Sequence, residues 1–189
     1  MATDSSSSPS ALRTYVNDMA GLQKHILEAV EHQIADERVE NSPQAAALLV
    51  EVKGVLTQQV ADLNAHVTRL GSETGATIKQ AITGALGSLA GLYDKVRKDP
   101  VSRMLRDDYT ALNMSSISYT MLHTTALAFH DEGVASLALS HLKELTPIIM
   151  KYNQVTPSLV VAELTDEKES VDTSVADQAV ANTQAAWKP

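Results

Sequence analysis

The sequence predicts an all-α protein in which four long helices form an antiparallel bundle, and three observations support this prediction. Apolar residues recur at spacings of three and four along four long segments, which is the period of an amphipathic helix. Proline or glycine separates these segments. The 189 residues include only one Trp, one Phe and five Tyr. The core must therefore be built from aliphatic and Met side chains, which suit closely packed helices.

The first helix is expected at about 10–38, after a flexible polar tail at 1–10. Ser10 is the candidate N-cap, because its side chain can accept a hydrogen bond from a free N–H of the first turn. The apolar positions of one face are Leu12, Val16, Met19, Ile26 and Val30. Gln23 interrupts this face at mid-helix, so we expect its side chain to be more than half buried.

The second helix is expected at about 43–70. Ser42 can cap it, Pro43 fits its first turn, and Gly71 ends it. The residues of its buried face are Ala45, Leu49, Val52, Leu56, Leu63, His66 and Leu70. Gln59 interrupts this face as Gln23 interrupts the first, and we expect it to be buried as well.

A glycine-rich helix is expected at about 76–98. Gly84, Gly87 and Gly91 fall at spacings of three and four and therefore share one face. Each Gly costs a helix up to about 1 kcal/mol relative to Ala. Such a face predicts close contact with the backbone of another helix. A membrane-surface helix is the alternative, but the segment lacks a strongly basic face.

The third long helix is expected at about 101–130, after the break at Asp99-Pro100. Its apolar residues are Leu105, Leu112, Met114, Ile117, Met121, Leu122, Leu127 and Phe129. They lie nearly all round the helix, which predicts burial on more than one side.

The fourth long helix is expected at about 134–154, with Gly133 marking the turn before it. Pro147 predicts a kink or a local break within this helix. The acidic and polar residues that follow predict a tail or extended arm at 157–189. The bundle itself is thus expected to span 11–156.

Polar residues on the helices supply the candidates for a site. His25, Glu28 and His32 share one face of the first helix at a spacing that can bind a metal, but this face lies off the apolar one and is expected to be solvated. Asp62 and His66 form another such pair.

A hydrogen-bonded polar layer is the second candidate, and it is expected inside the bundle. The residues that can meet there are Gln23, Gln59, His66, Ser116, Tyr119 and His123. His141 is also expected to face inward from the fourth long helix. A remnant His-rich metal site is the alternative interpretation of the same residues.

Short motifs along 11–155 follow an order that is typical of one protein family. They are Ala81-Ile82-Thr83-Gly84 with Gly91-Leu92, Arg69-Leu70, Arg106-Asp107, Tyr119 and Asp131. In this order the chain resembles the ferritin-like proteins of the bacterial stress-induced family called YciE/YciF. The resemblance implies a ferritin-like bundle in which the glycine-rich segment is a crossover helix.

The positions that the resemblance aligns with the family's metal ligands are mostly uncharged. The ligand of the first helix falls at Gln23, that of the second at Gln59, and one of the paired acidic residues of the fourth at Glu144. The ligands of the third helix fall at Leu112, Asn113, Met114 and Ser115. A di-iron site uses about four inward carboxylates, so we expect no bound metal. The strongest remaining candidates for a remnant site are His66, His123, His141 and Glu144.

Composition excludes several classes of function. A formal charge of −8 argues against binding to nucleic acid and to anionic membranes. There is no Cys, no nucleophile elbow and no glycine-rich phosphate loop. Neither a secretory signal peptide nor a spanning segment of roughly 20 apolar residues is recognised, so a cytoplasmic location is expected.

These observations favour a non-enzymatic ferritin-like bundle that self-associates, with a dimer favoured, or that binds a protein partner. No cofactor is expected, and a role in stress is implied only by the resemblance. The alternative is a metal- or oxidant-handling protein that keeps a reduced His-rich site.

Overall fold

The computed structural model describes residues 9–71 and 100–187, and these residues form helices with no strand among them. In chain order the helices are α1 (Ser10–Ile34), α2 (Glu37–Glu40), α3 (Pro43–Arg69), α4 (Val101–Ala128), α5 (Glu132–Asp166) and α6 (Val175–Ala186). The prediction of an all-α protein is confirmed for this part of the chain. The expectations for Gly84, Gly87 and Gly91 lie outside the described residues.

Side-chain contacts establish the directions of the long helices. They are Glu31–Lys53 between α1 and α3, Gln33–Asp108 and Gln23–Tyr119 between α1 and α4, and Glu51–Lys151 and Arg69–Asp131 between α3 and α5. Each of these pairs is antiparallel, because residues late in one helix meet residues early in the other. It follows that α3 and α4 run in the same direction, so Gly71 and Pro100 lie at opposite ends of the helical assembly.

The apolar faces predicted for the first two helices form the core. Leu12, Val16, Met19, Ile26 and Val30 of α1 and Ala45, Leu49, Val52, Leu56, Leu63 and Leu70 at α3 are buried. Gln23 and Gln59 are both 0% exposed, which confirms the prediction for these two amides. His66 is only half buried, because Val67 takes the core position in the last turn of α3.

The first helix is shorter than expected and begins differently. Pro9 is the N-cap of α1, and Ser10 is its first helical residue rather than its cap. The chain leaves the helix after Ile34 and forms α2, where the Asp36 carboxylate accepts a hydrogen bond from the Arg38 N–H. Asp36 is therefore a local helix start that divides the expected segment 10–38.

The start of α3 agrees with the sequence in position but not in every contact. Ser42 is its N-cap residue and Pro43 is its first residue, as predicted. The Ser42 hydroxyl, however, donates to the Arg38 carbonyl and does not cap the helix.

Gly71, with a φ of 72°, ends α3 as predicted, but α4 and α5 end at residues without a glycine signal. His130 and Lys168 have φ values of 57° and 63°. Each end is closed by the hydrogen bond typical of a left-handed helix end. It joins the Asp131 N–H to the Ala126 carbonyl after α4, and the Glu169 N–H to the Leu164 carbonyl after α5. The turn predicted at Gly133 therefore lies at His130, and Gly133 belongs to α5.

The fourth long helix does not break at Pro147, and α5 continues through Pro147 and Pro157 to Asp166. The expectation of an extended arm from 157 is wrong for residues 157–166, and residues 175–186 form a further helix. Tertiary contacts explain the extension. Leu159 is buried, and the Glu163 carboxylate accepts hydrogen bonds from the Ser102 N–H and hydroxyl at 2.8 and 2.5 Å.

The prediction that α4 is buried on more than one side is confirmed only in part, although α4 packs against both α1 and α5. Leu105, Leu112 and Leu122 face the core, whereas Ile117 and Met121 are 58% and 47% exposed. One side of α4 therefore keeps an apolar surface open. Within residues 9–71 and 100–187 we find no helix that is long and apolar enough to cross a bilayer.

Candidate functional site

A layer of polar side chains crosses the centre of the core, where helices α1, α3, α4 and α5 meet. The Gln23 Nε2 atom donates to Gln59 Oε1 at 3.1 Å and to Tyr119 Oη at 2.9 Å. His141 Nδ1 lies 3.1 Å from Tyr119 Oη, and the two rings pack edge to face. These four side chains, which are 0–2% exposed, define the central layer.

The edge of the central layer carries two carboxylates. Gln59 Nε2 donates to Glu144 Oε2 and to the His141 carbonyl, each at 3.2 Å. His141 Nε2 lies 3.3 Å from Asp62 Oδ2. The Asp62 side chain is 39% exposed and Glu144 is an exposed residue, so both negative charges remain in contact with water.

One assignment of hydrogens satisfies nearly every polar group of the layer. A carboxylate can only accept, so His141 must carry its proton on Nε2 and donate it to Asp62. His141 Nδ1 is then an acceptor. The single proton of the Tyr119 hydroxyl can be donated either to His141 Nδ1 or to Gln59 Oε1, each 3.1 Å away. Gln23 and Gln59 use both N–H groups of their amides. The middle of the layer is therefore an uncharged hydrogen-bond network.

Burial opposes ionisation at the centre of this network. It lowers the pKa of His141, although the hydrogen bond to Asp62 and the charge of Glu144 act in the opposite direction. Burial also raises the pKa of Tyr119 far above its usual range. Near neutral pH both side chains are therefore uncharged in the folded protein.

Two buried oxygens have no hydrogen-bond partner among the described residues. They are Gln23 Oε1 within the layer and Ser115 Oγ, which lies one helical turn before Tyr119 on α4. Ser115 is one of the positions that the family resemblance aligned with a metal ligand, and it is fully buried. A neutral hydroxyl there cannot replace a carboxylate, since it brings no charge.

The structure brings together only part of the predicted polar layer. Gln23, Gln59 and Tyr119 meet as expected, and His141 faces inward as expected. The sequence analysis missed the contacts of Asp62 and Glu144 with this layer. Their spacing was the available signal, because each lies three residues from an inward residue of the same helix, Gln59 and His141.

Three residues predicted for the layer lie elsewhere. His123 Nδ1 is 2.8 Å from the Ala135 carbonyl, and Ser116 is half buried without joining the network. His66 stands beside Arg69, with Nδ1 and Nη2 3.3 Å apart, and burial followed by the Arg69 charge lowers the pKa of His66. Arg69 also pairs with Asp131 at 2.9 Å.

The face formed by His25, Glu28 and His32 is predominantly exposed, as expected, and Glu28 pairs with Lys24 at 3.8 Å. In the described ranges no three His, Asp or Glu side chains are arranged to hold a metal ion. The donors of the central layer do not fit a di-iron centre, because its middle offers amides and a phenol where such a centre needs carboxylates.

The chain matches no family model, no curated protein sequence and no solved structure.

Proposed function

We propose that this protein is a non-enzymatic four-helix bundle of the ferritin-like type, which acts by associating with a second copy of itself. The observation that carries the proposal is the central layer, where hydrogen bonds between neutral groups occupy the place of a metal site.

The directions of the helices support the ferritin-like part of the proposal. A bundle of this type has one long crossover connection, because its second and third long helices run in parallel. Here α3 and α4 are parallel, and Gly71 and Pro100 lie at opposite ends of the assembly.

The layout of the central layer supports the same interpretation. Di-metal carboxylate bundles take one ligand from each of two helices and a pair spaced by three residues from each of the other two. The corresponding residues here are Gln23 on α1, Tyr119 on α4, Gln59 and Asp62 on α3, and His141 and Glu144 on α5. The third-helix residue is Tyr119 rather than one of the residues at 112–115 that the family resemblance aligned.

Charge explains why this layout favours a structural role. Two iron ions bring about four or more positive charges into a core of low dielectric, and this is very costly without carboxylates. Gln23, Gln59 and Tyr119 carry no charge near neutral pH, and the two carboxylates of the layer sit at its solvent edge.

Self-association is supported by the open side of α4. Ile117 and Met121 are exposed, and Met121 lines one pocket with the half-buried Met114 and Tyr15, so the surface extends toward α1. A contiguous apolar surface on a chain with an excess of acidic residues is typical of a protein–protein interface. We call the surface formed by Tyr15, Met114, Ile117 and Met121 the α4 strip.

The test measures molar mass by light scattering and metal content by elemental analysis on protein purified without chelator. We expect a dimer with less than stoichiometric iron. The double variant Ile117→Gln/Met121→Gln should dissociate at concentrations at least ten times higher than the wild type. Val50→Gln is the matched control, because Val50 is equally exposed but lies on α3.

A monomeric wild type, or a double variant that dimerises as tightly as the control, would contradict self-association through the α4 strip. Two iron ions per chain, together with iron-dependent oxygen consumption that His141→Ala abolishes, would instead support the metal- or oxidant-handling alternative.

A further inference from the structure

A groove of about 540 Å³ lies between α4, α5 and α6, away from both the central layer and the α4 strip. Its volume falls within the roughly 300–1,000 Å³ of typical small-molecule sites. Its apolar and aromatic wall is formed by Tyr109, Tyr152, Val160, Val161, Leu164 and Trp187. The wall runs along α5 from Tyr152 to Leu164, which at helical rise is a length of about 18 Å.

The covering helix leaves this groove underfilled. None of the residues of α6 is fully buried, and Val175 and Trp187 on the groove side are 40% and 61% exposed. On α5, Val160 and Leu164 remain 40% and 37% exposed beneath it. The apolar surfaces of the two helices therefore face a common space that their own side chains do not fill.

One positively charged side chain lines the groove, and it is ion-paired with the carboxylate of Asp107. Arg106 is the single charged side chain among the described residues that line the groove, whereas the protein as a whole carries −8. Its Nε and Nη2 atoms both bind one oxygen of Asp107, at 2.9 and 2.7 Å. The side chain is 61% exposed, so its remaining N–H groups are accessible to an anion.

We propose that this groove binds a free aliphatic carboxylate, with the hydrocarbon chain along α5 and the carboxylate at Arg106. The elongated apolar wall suits a single chain, because burying each CH₂ group is favourable. The guanidinium suits the head group, because Arg and a carboxylate form short, charge-assisted hydrogen bonds. The proposal is independent of the proposed self-association, since it involves no residue of the α4 strip.

The test uses dodecanoate below its micelle-forming concentration, titrated into the full chain. Trp187 is the only Trp of the protein and forms part of the groove wall, so its fluorescence reports binding without a label. Calorimetry on the same samples supplies the stoichiometry. We expect a saturable change with one ligand per chain. Butyrate, which lacks the chain, and dodecanol, which lacks the charge, should each bind at least ten times more weakly.

Two variants locate the site. Arg106→Gln should weaken dodecanoate binding at least tenfold, and Val161→Gln should weaken both dodecanoate and dodecanol. Lys143→Gln removes an exposed positive charge of α5 outside the groove and should leave binding unchanged. The unfolding midpoint of each variant is measured alongside, so that loss of fold is not taken for loss of binding.

Absence of saturable binding to the folded wild type would overturn the proposal. Equal affinity in Arg106→Gln, or equal affinity for dodecanol and dodecanoate, would overturn the assignment of the carboxylate to Arg106.

Discussion

The central layer and the groove under α6 reverse the usual distribution of polar and apolar groups. In the centre, Gln23, Gln59 and Tyr119 are polar and fully buried, whereas in the groove Trp187 and Val160 are apolar and substantially exposed. The central residues are stable there because each finds hydrogen-bond partners on other helices. Residue type alone therefore does not decide whether a side chain is buried. The hydrogen-bond partners that the fold supplies decide it.

The two regions should also differ in their contribution to stability. Every residue of the central layer joins helices that are distant in the sequence, so its loss affects several helices at once. In contrast, α6 covers the side of α5 and contributes no fully buried residue. The following experiments compare the two regions, beginning with the largest expected effect.

Gln59→Ala should reduce the free energy of unfolding by about 3–5 kcal/mol. The substitution leaves a cavity and also removes partners of Gln23, Glu144 and the His141 carbonyl. Urea denaturation measures the loss. Gln154→Ala is the control, because Gln154 is an exposed glutamine of α5 and its loss should change stability by less than about 0.5 kcal/mol. A similar loss in both variants would show that the central layer contributes no more to stability than an exposed residue does.

Tyr119→Phe should cost about 1–3 kcal/mol, since it deletes only the hydroxyl and leaves Gln23 and His141 without that partner in a dry core. Thermal and urea unfolding measure this change. Tyr109→Phe provides the matched control on the same helix, because Tyr109 is half buried and lines the groove. If the Tyr119 variant were as stable as the wild type, the hydroxyl network would be dispensable.

Stability should fall as the pH drops below about 6.5, the ordinary pKa of histidine. The pKa values of His141 and His66 are both lowered in the folded state, mainly by burial, so the unfolded chain binds more protons in this range. Stability then rises with pH, and each group contributes a slope of at most about 1.4 kcal/mol per pH unit.

Urea unfolding between pH 7.5 and 4.5 tests this dependence and its source. His66→Gln should keep most of the fall, because His66 is the less buried of the two, and His141→Gln should remove most of it. If His66→Gln removed more of the pH dependence than His141→Gln, the pH-sensitive contact would be the one between His66 and Arg69.

Ending the chain after Ser174 should have the smallest effect, a loss of about 1 kcal/mol or less, because α6 contains no fully buried residue. Hydrogen exchange should likewise find the amides of α6 less protected than those of α1. Glu163→Ala provides the contrast within the same part of the molecule, with an expected cost of about 1–2 kcal/mol. That carboxylate caps the start of α4 through Ser102. A truncation that cost more than Glu163→Ala would show that α6 is an integral part of the fold.

The sequence by itself determined the features that depend on one helix at a time. The buried faces of α1 and α3, the depth of Gln23 and Gln59, the start at Pro43 and the end at Gly71 follow from helical periodicity and from the backbone limits of Pro and Gly. These signals are local, so they can be recognised in one helical segment without knowing which other helices pack against it.

Only the tertiary structure decided which polar groups meet. The partners Gln59–Glu144 and His141–Asp62, the outward shift of His66 and the exposed side of α4 depend on how far each helix slides along and rotates against the others. The continuation of α5 past Pro157 likewise depends on Glu163 reaching α4. Helical periodicity contains no information on these displacements, because they are set by packing between segments that are distant in the chain.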